Sequence, residues 1–217
     1  MTILDGTLSG RPSEAKRVRM HDALFALAIG AVTLFRLYYC TLVPGTTGDL
    51  PRHIFYGLYV NRDGLSAAGK PLVALSHYLE PVSWSGLPYS YPIVALHFFQ
   101  AIALVSPTMF FAKLALTTLD GASAVMIQKY SGQRWLSLLF WAAPMSLWWV
   151  SREGQFEPLQ SFLLIAAIYA LKEQAGLAFA LLGLAIQTKL TAAVMLPWFL
   201  IELWRIESTR RWQRSSQ

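Results

Sequence analysis

Apolar residues in this chain come in long runs, not in strict alternation. A run with no polar face has no solvated side, so it predicts a helix lying in an apolar medium. The first run covers Ala23 to Val43, long enough to cross a hydrocarbon layer of about 30 Å. Pro44-Gly45-Thr46-Thr47-Gly48 ends it. Residues 44–90 form a polar loop rich in Gly and Pro. Within it, 53–60 and 71–79 are half-apolar and predict short helices at the membrane interface. Apolar segments follow at 91–106, 108–127, 135–150, 159–171, 175–188 and 191–204. Pro107, Pro144, Pro158 and Pro197 mark breaks or kinks. Trp135, Trp141, Trp148, Trp149, Trp198, Trp204 and Trp212 read as interfacial anchors.

The expected fold is all-α: a polytopic transmembrane helix bundle with interfacial helices in the first outer loop. The chain reads as one membrane domain over 1–217, with a basic tail at 1–21, an outer loop at 44–90 and a basic tail at 205–217. Composition agrees. Hydrophobic residues make up 55% and charged residues 14% of the 217, with a mean hydropathy of +0.42. A soluble domain carries about 25% charged residues. Seven apolar segments leave no room for a separate soluble domain. No small-residue cleavage site follows the first run, so it reads as a retained helix. Cys40 is the single cysteine, which excludes an intrachain disulfide.

The net charge of +6 is concentrated in two clusters: Arg11, Lys16, Arg17 and Arg19, then Arg205, Arg210, Arg211 and Arg214. Such flanks mark cytoplasmic ends of membrane helices, and no nucleic-acid partner is expected. Strict alternation of seven spans would put the two basic tails on opposite sides. Working back from a cytoplasmic C-terminus instead puts Lys172, Lys129 and Arg134 inside. Loop 44–90, residues 151–158 and Lys189 then share the outer face. This assignment requires one segment between 91 and 127 not to cross simply, as in a re-entrant pair broken at Ser106-Pro107.

The densest chemistry is Ser151-Arg152-Glu153-Gly154-Gln155-Phe156-Glu157-Pro158, set between two strongly apolar segments. Charges at that edge lose hydration and act more strongly on a polar ligand than they would in water. Asp49 follows the first helix, and in a helix starting at 50 it lies within one turn of Arg52 and His53. A carboxylate there can serve as a general base, and Arg52 and His53 can hold phosphate. The plainer alternative makes Asp49 a helix N-cap with Pro51 in the first turn. Lys189, after Gln187-Thr188, is either a phosphate ligand or a lysine reaching to the headgroups. Arg36, Lys113 and Asp120 lie deeper, and Lys113, Thr117 and Asp120 share a helical face, as charges bracing a bundle would. His21, His53, His77 and His97 are not at ligand spacing and no Asp-x-Asp occurs, so no metal ligand is assigned. A phosphate-cradling Gly loop and a nucleophile elbow are also missing.

The order of these pieces resembles the C-type superfamily of polytopic membrane glycosyltransferases, which take sugars from polyprenyl- or dolichyl-phosphate carriers. The resemblance rests on a helix followed by a long outer loop with Asp49, then Tyr89-Ser90-Tyr91-Pro92 opening an apolar segment. Arg152-Glu153-Gly154-Gln155-Phe156-Glu157-Pro158 precedes another apolar helix, followed by Leu184-Ala185-Ile186-Gln187-Thr188-Lys189 and Leu196-Pro197. It spans residues 22–204. It implies Asp49 as the base, and Arg152 and Lys189, with Arg52, at the carrier phosphate. Glu153, Gln155 and Glu157 would contact sugar or acceptor, and His53 and Tyr91 complete the binding set. The implied partners are a polyprenyl-phosphate-linked sugar, with mannose one candidate, a glycan or lipid acceptor, and membrane lipids. No cofactor is assigned, and a divalent metal stays an option. The implied location is a bacterial inner membrane or the endoplasmic reticulum. The first-loop acid stands alone, and relatives commonly add further helices after the Lys-Pro helix, which leaves room for a fragment or a second membrane subunit. The rival expectation is a non-catalytic subunit or lipid-carrier transporter that binds a polyprenyl phosphate with the same cations.

Overall fold

The computed structural model describes residues 12–44, 49–76, 82 and 84–215. Most of the expected helix stop at 44–48 and the end of the 71–79 segment lie outside them. Every regular element among the described residues is helical, and the protein has the all-α character of a membrane protein. Helix α1 covers Pro12–Thr41 and α5 covers Met109–Ser131. Their apolar stretches of 22 and 23 residues are long enough to cross a bilayer. Helix α2 (Leu50–Asp63) leads through a 3₁₀ turn (Leu65–Gly69) to the short α3 (Leu72–Leu75). Helix α4 (Ile93–Val105) has 13 residues, about 20 Å, and packs chiefly along α2. Gly57 permits this: a Cβ there would come within 2.5 Å of the Phe99 carbonyl oxygen. The expected break at Ser106-Pro107 is present, with Thr108 capping α5 through the Phe111 N–H. Helix α4 and α5 touch little, so they are not a folded-back pair as expected; α4 belongs with α2.

The expected 135–150 helix is divided. Helix α6 (Arg134–Trp141) stops before Pro144, which lacks the N–H that a continuing helix needs. A single turn, α7 (Pro144–Ser146), leads into a π-helical turn at Leu147–Arg152. There the N–H of Glu153 reaches back five residues to the Trp148 carbonyl, at 3.0 Å. The interruption is held by Arg36 of α1, which is fully buried. Its Nε and Nη2 donate to the Trp141 carbonyl at 2.9 and 2.6 Å. Nη2 also lies 2.9 Å from Ser146 Oγ and 2.8 Å from Asp120 Oδ2, and Nη1 donates to Ser151 Oγ at 3.2 Å. Ser146 donates in turn to Asp120. Trp141, expected at the interface, is instead buried, with its ring 3.9 Å from the guanidinium carbon. Gly121 makes room, since a Cβ there would sit 3.2 Å from that ring. Trp135, Trp148, Trp149, Trp198 and Trp204, from the expected set, are exposed in large part.

Helix α8 (Glu157–Ala170) packs on α5 and on α9 (Ala175–Ile186). A 3₁₀ turn (Leu190–Met195) then leads into α10 (Leu196–Ser215), and Phe199 packs with Ala167, Leu171, Ala178 and Leu182. Each end of the bundle carries its own charged groups. At one end Asp22 pairs with Arg134, and Lys172 Nζ lies 4.7 Å from the Tyr130 ring centre. At the other, Lys113 donates to the Leu42 carbonyl at 2.6 Å. Asp49, residues 152–157 and Lys189 gather at this second end.

Two junctions fix that end. Gly154 has φ +73°, a left-handed conformation, and a Cβ on it would fall 2.4 Å from Leu50 Cδ2. The 151–158 segment therefore rests directly on the first turn of α2. Three residues further on, His53 is buried in an aromatic cluster, stacked on Phe99 at 4.7 Å with Tyr89, Tyr91 and Phe156 around it. Burial, and next the Arg52 charge, push its pKa down to about 3, so the imidazole is neutral.

Gly154→Ala is expected to cost about 2 kcal/mol, through backbone strain and the clash with Leu50. The loss should be smaller in a Leu50→Ala background, which a double-mutant cycle of unfolding in detergent reads directly. For His53 the unfolded chain binds a proton below pH 6.5 that the folded chain refuses. Stability should thus fall as pH drops from about 6.5 towards 3, by about 2 kcal/mol at pH 5. His53→Phe keeps a ring and removes the titration, so its unfolding midpoint should change less with pH over that range. Equal slopes for the two proteins would refute the assignment.

Candidate functional site

Asp49 stands at the entry to α2, where the sequence places a capping residue, yet its side chain makes no capping bond. Its Oδ2 instead accepts from the Tyr91 hydroxyl at 3.0 Å. Its Oδ1 is occluded and has no hydrogen-bond partner among the described residues. An occluded carboxylate oxygen without a donor is costly as structure and useful as a proton acceptor. Tyr91 is presented by the chain entering α4, one residue before Pro92 at the helix cap. Burial, followed by the Asp49 charge and hydrogen bond, pushes its pKa up to about 12. The phenol keeps its proton and stays a donor to Asp49. Tyr89, on the same strand of chain, lies with its hydroxyl 3.1 Å from His53 Nδ1 and is likewise pushed up, first by burial.

Arg52 and His53 do not face outward with Asp49. Arg52 is 2% exposed and donates through Nη2 to the Pro88 carbonyl at 2.6 Å. The Tyr56 hydroxyl reaches the carbonyls of Lys70 and Leu87, each at 2.8 Å. These bonds tie the 87–91 strand to α2 and so hold Tyr89 and Tyr91 in place. The expected phosphate contacts of Arg52 and His53 are replaced here by contacts to the protein itself. The reason is coverage: the face of α2 that carries both residues is roofed by α4, through Phe99, and by the 87–91 segment.

The 151–158 segment divides its groups between two directions. Arg152 lies over the Trp148 ring, 4.0 Å from its centre, with Nε 3.5 Å from Glu153 Oε1. Glu153 is buried and also interacts electrostatically with Lys113. Beyond Gly154, Phe156 fills the core against Tyr91, at 5.1 Å between ring centres. Glu157 opens α8, and its Oε1 accepts from Lys189 Nζ at 2.7 Å. The ammonium also sits 5.9 Å from the Phe156 ring centre. Lys189 is therefore no freely reaching lysine; it is a half-buried cation with a defined partner. Its backbone is fixed by Gln160, whose Nε2 donates to the Lys189 carbonyl at 2.7 Å and to Thr191 Oγ1 at 3.0 Å. Gln160 went unread in the sequence, although its place three residues after Glu157 puts both on one helical face.

Asp49, Tyr91, Phe156, Glu157 and Lys189 thus form one continuous patch, with Tyr91 also feeling the Glu157 charge. Beside it opens a cavity of about 550 Å³, lined by Asp120, Ser146, Trp149, Gln155, Glu157 and Ser161 among others. A second, more apolar cavity of about 590 Å³ lies between α1, α5 and α6. Asp49 lines neither of the two. The patch can accept a proton at Asp49 and neutralise an anion at Lys189, and the adjoining cavity offers hydrogen-bond acceptors.

Residues 89–215 match the family model of glycosyltransferase family 87. The matched stretch contains Tyr89, Tyr91, the whole 151–158 segment and Lys189; Asp49 precedes it. No curated protein and no solved structure matches the chain. A match over more than half of the sequence, on a helical membrane protein with this arrangement of charged side chains, places the chain in glycosyltransferase family 87, a family of C-type membrane glycosyltransferases.

Proposed function

We propose that the protein transfers a sugar, mannose in our reading, from a polyprenyl-phosphate carrier to a hydroxyl acceptor at the outer or lumenal membrane face. The observation that carries this reading is Asp49, held by the Tyr91 phenol through one oxygen while the other lacks a donor. Asp49 Oδ1 takes the proton of the acceptor hydroxyl as its oxygen attacks the anomeric carbon. The carrier phosphate departs, and Lys189 and Arg152 neutralise its charge. In the free protein each of these cations rests against a carboxylate, Glu157 and Glu153. The donor phosphate takes the place of those carboxylates at the cations. Arg52 and His53 act as positioning residues, through the strand that carries Tyr91. The membrane arrangement we propose puts Asp22, Arg134 and Lys172 on the cytoplasmic side and the Asp49 end outside. Helix α4 stays with α2 in the outer layer, which lets both basic tails remain inside.

Asp49→Asn should lower sugar transfer by at least about 10²-fold while membrane insertion is unchanged, because shape is kept and the base is lost. Lys189→Gln and Arg152→Gln should each lower turnover at saturating donor by about 10²–10³-fold. The Lys189 and Glu157 side chains are 36% and 43% exposed, so loss of the pair should cost little stability. Near-normal turnover in both glutamine variants would favour a non-catalytic subunit that binds lipid phosphate.

Membrane sidedness is tested with single cysteines in a Cys40→Ser background. Cysteines at the exposed positions Ser90 and Leu190 should label from the outer or lumenal side with an impermeant reagent. A cysteine at Glu173 should label only after permeabilisation. Labelling of 90 and 190 from opposite sides would split the site and end the enzyme model.

A further inference from the structure

Lys113 has no part in the reaction proposed above, yet it lies close to residues that carry it. Its side chain is fully buried near the start of α5, and its Nζ donates to the Leu42 carbonyl at 2.6 Å. One helical turn further on, Thr117 Oγ1 lies 3.2 Å from Ser151 Oγ and 3.5 Å from Cys40 Sγ. The end of α1, the start of α5 and the π-helical turn are thus tied together at this point. Lys113 acts electrostatically on Glu153 and on Arg152. Glu153 is 5% exposed. A buried ammonium and the Arg152 guanidinium therefore share one buried carboxylate.

The two cation–carboxylate pairs at the site differ in a way this sharing explains. Lys189 holds Glu157 at 2.7 Å, and solvent reaches both side chains. Arg152 Nε stands 3.5 Å from Glu153 Oε1, too far for a good hydrogen bond, although Glu153 is nearly dry. The same Nε is occluded and has no hydrogen-bond partner among the described residues. A buried donor in that state is ready for a new acceptor. Water can take the place of Lys189 at Glu157 when the lysine turns to a phosphate. Glu153 has little access to water, and a buried carboxylate that loses its cation is strongly penalised. A second cation that stays in place removes much of that penalty.

We propose that Lys113 is a positioning residue that lets Arg152 exchange Glu153 for the phosphate of the lipid carrier. The inference rests on the function proposed above and extends it to a residue that touches neither donor nor acceptor. Before binding, Glu153 is shared between Lys113 and Arg152. When the phosphate arrives, Arg152 turns from Glu153 to the phosphate oxygens, and Glu153 keeps the charge of Lys113 beside it. When the phosphate leaves, the same carboxylate draws Arg152 back. No bond or proton changes hands at Lys113. Its effect is on affinity for the phosphate, and it runs through Glu153.

The test is a double-mutant cycle on the full chain in nanodiscs, with binding of a short-chain polyprenyl phosphate read by calorimetry. Lys113→Met should weaken binding about tenfold, because Glu153 then holds Arg152 more tightly. Lys113→Gln keeps a donor for the Leu42 carbonyl and should show the same loss, which separates the charge from the lost backbone bond. Glu153→Gln keeps the shape, frees Arg152, and should bind the probe at least as tightly as the wild type. Adding Lys113→Met to Glu153→Gln should then change affinity by less than about twofold. A purely structural lysine, or one that attracts the phosphate directly, would cost as much in the Glu153→Gln background as in the wild type, and that result overturns the inference. Should neither Lys113 variant fold, Glu153→Gln decides alone. Unchanged or tighter binding supports the inference, and a loss of about tenfold overturns it. Arg152→Gln separates the inference from the reaction. If it weakens binding about tenfold or more while the cycle is additive, only the role of Lys113 falls. If it leaves binding unchanged, the phosphate site itself is refuted and the inference with it.

Discussion

The contacts of Arg36 are the condition for the rest of the structure. Stopping a helix at Pro144 within an apolar medium leaves carbonyls without water or neighbouring N–H groups. Arg36 supplies the missing donors to the Trp141 carbonyl and to two serines, and Asp120 balances its charge. Burying a guanidinium costs several kcal/mol, which only a well-formed set of hydrogen bonds and an opposite charge can offset. Here both are present, and the Trp141 face covers the cation as well. With that set in place, residues 147–152 can depart from α-helical form and present Arg152 and Glu153 at the site. The charges deepest in the bundle therefore act as scaffold, and in the reaction we propose it is those at its rim that carry the chemistry.

Much of this organisation was legible along the chain. Most apolar runs became helices within a few residues of their expected limits, because continuous hydrophobicity and proline stops are local signals. That deep charges brace the bundle follows from the cost of isolated charges in an apolar medium. The face shared by Lys113 and Asp120 did not reveal that Asp120 pairs with Arg36 while Lys113 bonds the Leu42 carbonyl. What stayed hidden depended on distant partners. Asp49 and Tyr91 are 42 residues apart and meet through a hydrogen bond that no spacing encodes. Trp141 carries the composition of an interfacial anchor and is buried because Gly121, on another helix, leaves space for it. Arg52 and His53 shared the neighbourhood of Asp49 in sequence, but α4 and the 87–91 segment, distant along the chain, cover them. The cavity wall joins residues from α5, α6, α7, α8 and the π-helical turn, so it became visible only once they were packed.

The two glycines that matter most lie where backbone meets backbone or backbone meets side chain. Gly57 brings α2 against α4, and Gly154 lets the 151–158 segment settle on Leu50. Between them they set the distances among α2, α4 and the 151–158 segment. A layer outside the bundle and a loop within it are thereby joined as one rigid surface, with Tyr91 and Phe156 in contact across the seam.

The π-helical turn at Leu147–Arg152 has a consequence for how such a chain tolerates length changes. A turn of this kind holds one more residue than an α-helical turn, so whatever follows is rotated by about 100° from its α-helical phase. Deleting one residue here would restore an ordinary helix and keep nearly all local hydrogen bonds. It would also swing Arg152 and Glu153 onto another face relative to the helices before the turn. Insertion and deletion at this turn thus act as an angular switch, in which one amino acid sets the bearing of the groups that follow.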